Sequence, residues 1–219
     1  MLQGPKYGLL LTTLLFARSL AAGGAQIVDL GYARYEGSQP NSKTVVFYGI
    51  PYAEPPLGER RFRAPVPLVP SRITAEQPEG GAIDATQPPD FCIQKGNDGS
   101  ENCLKVNIYK PHSATPDSKL PVLFYIHGGA GNPVAWPFDH WIEYYQDVVI
   151  VSVYYRLSFL GSLAPPEFKD SNLGDFNVGL LDRIEALKWV RQHISRFGGN
   201  PSMSLSTARA TEVPMSIST

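Results

Sequence analysis

Residues 120–132 read LPVLFYIHGGAGN, and residues 147–157 read DVVIVSVYYRL. Both are nearly continuous runs of apolar, β-branched and aromatic residues. Strands buried on both faces have this pattern, and they occur mostly in parallel sheets covered by helices. The first run leads directly into His-Gly-Gly, at the carboxyl end of a strand, where α/β proteins carry their ligand-binding and catalytic loops. We therefore predict an α/β sheet with a functional loop after residue 126.

The segment 177–199 predicts the longest helix. Its apolar residues recur at spacings of three and four and share one face: Leu180, Ile184, Leu187, Val190, Ile194 and Phe197. Its charged residues are expected largely elsewhere: Asp182, Arg183, Lys188 and Arg191. Gly198 and Gly199 supply the left-handed stop that helix ends favour. Alternating strands and helices indicate an α/β sheet rather than a bundle or sandwich.

The remaining segments predict a smaller set of elements. Short strands are expected in 27–37 and 43–50, and an alternating, half-buried strand in 103–111. The prolines of 51–70 predict an extended segment lying along the surface. The aromatic-rich stretch 136–146 is expected to be partly helical.

Composition excludes several classes of protein. The chain has 219 residues, of which 43% are hydrophobic and 18% charged, a globular balance. A formal net charge of -1, with no basic run among aromatic residues, argues against a nucleic-acid partner.

The first 25 residues have the layout of a secretory signal peptide. Lys6 precedes an apolar stretch from Gly8 to Ala17, and small residues follow, so cleavage is expected after Ala21 or Ala25. The alternative is a buried N-terminal helix. The apolar stretch is too short to span a bilayer, and no later segment is long enough. We expect a secreted protein without a transmembrane segment.

Two cysteines, Cys92 and Cys103, bracket a Gly/Asn/Asp-rich loop. In an oxidising compartment this arrangement indicates one disulfide, which stabilises by roughly 2–3 kcal/mol on the chain-entropy model. Two free thiols are the alternative if the protein is not secreted. No histidine lies near them and His112 stands alone, so no metal site is expected.

The His-Gly-Gly stretch is typical of the oxyanion hole of lipases and esterases. The N–H groups of Gly129 and Ala130 would donate to the negative oxygen that forms when an ester carbonyl is attacked, and Gly128 would permit the turn. A tight loop that merely closes a strand is the alternative reading of these three residues.

Several stretches in order resemble the type-B carboxylesterase and lipase family, the cholinesterase-like group of the α/β-hydrolase fold. The resemblance extends from about Ile27 to Ser202. It is carried by FYGIPYAEPPLGERRFRAPVPL (47–68), ENCLKVNIYKP (101–111), PVLFYIHGGAGN (121–132), VSVYYRLSFLG (151–161) and NVGLLDRIEALKWVRQHISRFGGNP (177–201). It implies hydrolysis of small-molecule carboxylic esters by serine acyl transfer, without a cofactor.

The resemblance also assigns roles to single residues. Cys92 and Cys103 would form the family's early disulfide, and Arg61 and Glu101 its structural salt bridge. Gly129 and Ala130 would be the oxyanion donors. Three positions depart from the family pattern: Asn102 replaces Asp, Tyr154 replaces Asn, and Ser158 replaces Gly. The loop between the cysteines is short and lacks Trp, which argues against a choline site.

The end of the chain departs from the family. After residue 202 the family continues with a strand and a Gly-x-Ser-x-Gly elbow, but the serines here lack elbow glycines: Ser204, Ser206, Ser216 and Ser218. No residue matches the acid or base. His140 and His193 are expected to be surface or packing residues. Without the strand after Pro201, the sheet should end at an exposed edge.

The neighbouring reading frame of residues 203–212 permits x-Val-Thr-Leu-Asp-Gly-Ala-Ser-Asn-Gly, which is the expected strand and elbow. We therefore divide the chain into a signal peptide (1–25), a partial carboxylesterase domain (26–202), truncated before the nucleophile elbow, and a divergent, frame-shifted tail (203–219). The expected function is that of a carboxylic ester hydrolase by family, inactive in this form. The alternatives are a non-catalytic secreted binding protein and a non-functional gene-model fragment.

Overall fold

The computed structural model describes residues 26–94, 99–128, 137–170 and 172–208; for residues 203–208 it describes the backbone only. Over these residues eight strands form one sheet: β1 Gln26–Asp29, β2 Arg34–Asn41, β3 Thr44–Pro51, β4 Ile83–Ala85, β5 Lys105–Pro111, β6 Leu120–Ile126, β7 Val149–Val153 and β8 Gly199–Ala208. Their order is β1-β2-β3-β5-β7-β6-β8, with β4 beside β2.

The sheet changes character at β7. Along the order β1-β2-β3-β5-β7 each pair of adjacent strands is antiparallel, whereas β7, β6 and β8 run parallel to one another. The short strand β4 is parallel to β2. All five residues of β7 are buried. The prediction of buried parallel strands in the two apolar runs is therefore confirmed.

Within the described ranges, four α-helices flank the sheet: α1 Pro70–Glu76, α2 Asp139–Tyr144, α3 Ser158–Ser162 and α4 Val178–His193. Apolar residues of α4, including Ala186 and Val190, pack with Val122, Val151 and other residues in the larger core cluster. On the other face, Phe138 and Ile142 at α2 pack with Tyr125 and Ile150. The sheet is thus covered on both faces, as its apolar strands require.

The ends of α4 follow from backbone conformation. Asn177, which precedes the helix, has φ 55°. After α4 a 3-10 turn, Ile194–Phe197, leads to Gly198 at φ 89°, the left-handed conformation that glycine adopts without steric cost. The predicted glycine stop is confirmed at Gly198.

Two details of the predicted burial are wrong. The helix pattern predicts Asp182 away from the apolar face of α4, but Asp182 is fully buried. The same pattern predicts Leu180 on the apolar face, but Leu180 is 37% exposed. An ion partner on another element makes the burial of Asp182 possible. Strand β5 was predicted to be half-buried, yet Val106 through Pro111 are all buried, because α4 and α2 cover its two faces.

The prediction that the strand after Pro201 is missing is also wrong. Strand β8 pairs in parallel with β6, from Leu123 opposite Leu205 to Ile126 opposite Ala208. Backbone N–H and C=O groups pair whatever side chains they carry, so the Ser-rich tail can extend the ladder. Among the described residues, β8 rather than β6 is the last strand on this side.

The signal peptide predicted for residues 1–25 and the last part of the tail, residues 209–219, lie outside the described residues. Within the described ranges, no helix combines the length and apolar character needed to cross a bilayer.

Candidate oxyanion turn and its support

His127 and Gly128 follow β6 at the carboxyl end of the parallel strands. The Tyr155 hydroxyl donates to the His127 carbonyl oxygen at 2.6 Å. The two rings are stacked, with centroids 4.8 Å apart and planes inclined by 29°. The Nδ1 atom of His127 lies 3.2 Å from the carbonyl oxygen of Gly128. The start of the predicted oxyanion turn is therefore held by contacts to both its backbone and its side chain.

The predicted oxyanion donors themselves, Gly129 and Ala130, lie in the range 129–136, outside the described residues. Gly128, predicted to permit the turn, is described and is half-buried.

A buried ion pair fixes the segment that follows β7. Arg156 donates to Asp182 from Nη2 at 2.6 Å, from Nε at 2.8 Å and from its backbone N–H at 3.0 Å. Their side chains are 3% and 0% exposed. Burial raises the pKa of the Asp182 carboxyl, and the hydrogen bonds from Arg156 oppose that rise. The pair ties the carboxyl end of β7 to helix α4.

Two glycines allow this close approach of α3 and α4. A Cβ atom at Gly161 would lie 2.1 Å from the Arg156 carbonyl oxygen, and one at Gly179 would lie 2.5 Å from the same atom. Real Cβ atoms do not approach backbone oxygens this closely. Only glycine fits at both positions, so Arg156 is enclosed by backbone as well as by its carboxylate partner.

Arg156 also reaches the segment that carries Arg61. Its Nη1 atom donates to the Arg61 carbonyl oxygen at 3.0 Å. The Arg61 side chain donates in turn from Nε to a carboxylate oxygen of Glu101 at 2.6 Å. This second pair, predicted as a structural salt bridge, has side chains that are 45% and 22% exposed.

Cys92 and Cys103 are joined by a disulfide with a Cα–Cα distance of 5.1 Å, and both residues are buried. They pack against Tyr154, which follows β7 directly. The predicted disulfide therefore lies beside Tyr154, at the end of β7 that continues into Tyr155 and Arg156.

The three departures from the family pattern have different environments. The Tyr154 hydroxyl accepts from Asn107 Nδ2 at 3.1 Å, and burial raises the pKa of Tyr154 to about 12. Ser158 has φ 53°, a conformation that favours glycine. The Asn102 side chain is exposed.

The histidines singled out in the sequence lie apart from the turn. His140 is 73% exposed beside Glu143, and His193 packs against Tyr32 and Trp189. His112 lies 3.3 Å from Gln26, measured between their Nε2 atoms. Over the described part of the chain, no group of three or more potential ligands could hold a metal ion.

Sequence reasoning missed Tyr155, Arg156 and Asp182. The available signal was a Tyr-Arg pair directly after a fully apolar strand, together with an aspartate inside the predicted helix. Charged residues next to buried elements often indicate a buried pair, since an isolated charge there is costly.

A model of the Carboxylesterase family matches residues 25–204. The para-nitrobenzyl esterase of Bacillus subtilis (strain 168) is 36% identical over 184 residues, which cover 80% of this chain and 36% of that protein. The cAMP-regulated D2 protein of Dictyostelium discoideum is 35% identical over 204 residues, which cover 89% of this chain and 36% of that protein.

Solved structures agree with this assignment. Aspergillus niger EstA matches with a TM-score of 0.73 at 35% identity, over 84% of this chain and 35% of the solved chain. The chain spans about a third of the length of these relatives. It belongs to the type-B, cholinesterase-like carboxylesterase family, and its sheet is part of an α/β-hydrolase fold.

Proposed function

We propose that this chain forms the oxyanion-hole side of a carboxylic ester hydrolase that acts on small-molecule esters by serine acyl transfer. The observation that carries the proposal is the His127–Gly128 turn at the carboxyl end of β6, anchored by Tyr155. Family membership supports the reaction class.

In this proposal Gly129 and Ala130 donate their N–H groups to the oxyanion, and Gly128 permits the backbone to turn toward it. Such donors act on the charge that develops in the transition state. Losing one costs roughly 2.7–4 kcal/mol of barrier where this has been tested. Acyl transfer of this kind requires no metal or cofactor from the protein.

The nucleophile, acid and base are proposed to lie outside these 219 residues. The sequence contains no Gly-x-Ser-x-Gly, and Ser204 and Ser206 lack the flanking glycines that make a nucleophile elbow. We therefore expect that this chain alone does not turn esters over.

A shifted reading frame after Ser202 would supply the missing elbow. Strand β8 ends at Ala208, and the shifted frame permits the first elbow glycine at that point. Sequencing genomic DNA and transcript across the codons for Phe197 to Thr219 tests this. We expect a long open frame that encodes an elbow, and bases incompatible with the shifted reading would refute it.

Ester turnover tests the proposed activity. The folded 219-residue chain should release no chromophore from p-nitrophenyl butyrate at a steady rate above that of the same chain unfolded in urea. The longer product of the shifted frame should hydrolyse it. Steady turnover by the folded 219-residue chain would contradict the absence of a nucleophile, and an inactive longer product would contradict the proposed reaction.

Secretion through a signal peptide at residues 1–25 remains part of the proposal. The Cys92–Cys103 disulfide supports it, because structural disulfides persist in oxidising compartments. The N-terminal sequence of protein recovered from the medium should begin after Ala21 or Ala25. Recovery only inside cells with Met1 retained would refute it.

A further inference from the structure

We propose that Tyr155 is a positioning residue for the oxyanion turn, because it fixes the peptide group between His127 and Gly128 directly and acts on the Gly128 carbonyl through the imidazole of His127. The purpose of this arrangement rests on the proposed function, whereas its geometry rests only on described atoms.

The first contact fixes the peptide group between His127 and Gly128. The Tyr155 hydroxyl donates to the His127 carbonyl oxygen at 2.6 Å. A peptide group is planar, so its carbonyl and its N–H point in opposite directions. Holding the His127 carbonyl against Tyr155 therefore directs the Gly128 N–H away from it.

The second contact acts through the imidazole on the following peptide group. The ring of His127 is stacked on Tyr155, and its Nδ1 lies 3.2 Å from the Gly128 carbonyl oxygen. Gly128 directly precedes Gly129, the proposed oxyanion donor. A carbonyl accepts only, so the bond requires a proton on Nδ1.

Tyr155 can impose a position because it is itself held firmly. It is 3% exposed, and the guanidinium of Arg183 on α4 lies 5.0 Å from its ring centroid. The next residue, Arg156, is bound to Asp182 on the same helix. Two neighbouring side chains, Tyr155 and Arg156, therefore fix the position of the turn relative to α4.

Nuclear magnetic resonance of the 219-residue chain tests the proposal without any need for ester turnover. Tyr155→Phe removes the hydroxyl and retains the ring. Tyr52→Phe is the matched control, because Tyr52 is equally buried and donates to the Tyr154 carbonyl oxygen at 2.8 Å. Both variants lose one hydroxyl-to-carbonyl bond, but only one of these bonds ends at the turn.

Two readouts separate positioning from general stability. Tyr155→Phe should shift the ¹³C carbonyl resonance of His127 and the ¹⁵N amide resonance of Gly128, because the hydrogen bond to the peptide group that these atoms share is lost. Tyr52→Phe should leave these two resonances unchanged. In the unmodified chain, ¹⁵N spectra should show His127 protonated on Nδ1, and Tyr155→Leu should shift the proton toward Nε2, while Tyr155→Phe should keep it on Nδ1.

The proposal fails if both Phe variants shift the His127 carbonyl and Gly128 amide resonances equally, or if neither does. It also fails if His127 is protonated on Nε2 in the unmodified chain. If Tyr155→Leu does not fold, the Phe pair decides the question. An inactive longer product that shows the expected shifts would refute the proposed function and leave the positioning role of Tyr155 standing.

Discussion

The carboxyl ends of β7 and β8 lie at the same edge of the parallel part of the sheet, but the residues that follow the two strands differ. Beyond β7, Tyr154 packs on the disulfide, Tyr155 donates to the His127 carbonyl at the start of the proposed oxyanion turn, and Arg156 is paired with Asp182. Strand β8 ends at Ala208, and the sequence that follows contains no elbow glycines around a serine.

The difference indicates that, within this fold, the residues that hold the strand ends in place are separate from the residues that would carry out the reaction. The β7 end derives its order from long-range side-chain contacts that are all present in the chain. At the β8 end the structure describes backbone pairing with β6, and such pairing can be satisfied by a sequence unlike that of the family. Substitutions of the residues that make these contacts near β7 should therefore change the free energy of unfolding.

Asp182→Asn should have the largest effect on the β7 end. The substitution leaves the Arg156 guanidinium buried without a counter-charge, which lowers the free energy of unfolding by about 3–5 kcal/mol. Urea unfolding monitored by tryptophan fluorescence measures the loss.

Glu101→Gln is the matched control, because it makes the same chemical change in the exposed Arg61–Glu101 pair. Exposed pairs contribute little, so its urea midpoint should stay close to that of the unmodified chain. Equal losses in the two variants would show that burial does not distinguish the two ion pairs.

Replacing both Cys92 and Cys103 with serine should have the next largest effect. The bridge closes a loop with a sequence separation of 11 residues, and losing it costs about 3 kcal/mol on the chain-entropy model. A melting temperature unchanged by the double substitution would show that the segment behind Tyr154 needs no cross-link.

The ion pairs of Glu54 with Arg60 and Arg72 give the stability of the chain a pH dependence. Burial alone would raise the pKa of this carboxyl, but hydrogen bonds from the Val69 N–H, Arg72 and Arg60 outweigh burial and hold the pKa below the ordinary value of a glutamate. A lowered folded-state pKa adds stability above about pH 4.5, and that stability is lost as the pH falls through the folded-state value.

Glu54→Gln should therefore cost up to about 2 kcal/mol at pH 7, and the deficit relative to the unmodified chain should shrink as the pH falls below 4. Chemical unfolding at several pH values measures this. A deficit independent of pH would mean that the charge of Glu54 contributes nothing.

Ser158→Gly should have the smallest effect, and it should stabilise. Ser158 has φ 53°, and relief of the left-handed strain should gain about 1 kcal/mol or less. Asn177→Gly is the control: φ is 55° there too, but Asn tolerates this conformation and should gain less. A larger gain at Asn177 would contradict the strain argument.

Local pattern predicted much of this fold. The apolar runs that became β6 and β7 and the three-four spacing of α4 are properties of short segments, and Gly198 ended the helix as its conformation requires. Several predictions depended on partners distant in sequence. Asp182 is buried because Arg156, 26 positions earlier, neutralises it, and nothing in the helix pattern encodes that partner.

The candidate site was predictable only in part. The motif indicated the turn at Gly128, and the cysteine spacing indicated the disulfide. The stacking of Tyr155 on His127 arises from the parallel pairing of β7 with β6, which places the two strand ends side by side. Strand β8 was missed because backbone pairing is insensitive to the composition on which the prediction relied.

The most direct test of the account is treatment of the folded 219-residue chain with a fluorophosphonate, which modifies activated serines, followed by intact-mass measurement. An esterase framework that contains the oxyanion turn but no activated serine predicts no adduct. A stoichiometric serine adduct that is lost when the chain is unfolded beforehand would show that a nucleophile is present, and the separation of support from chemistry would be wrong.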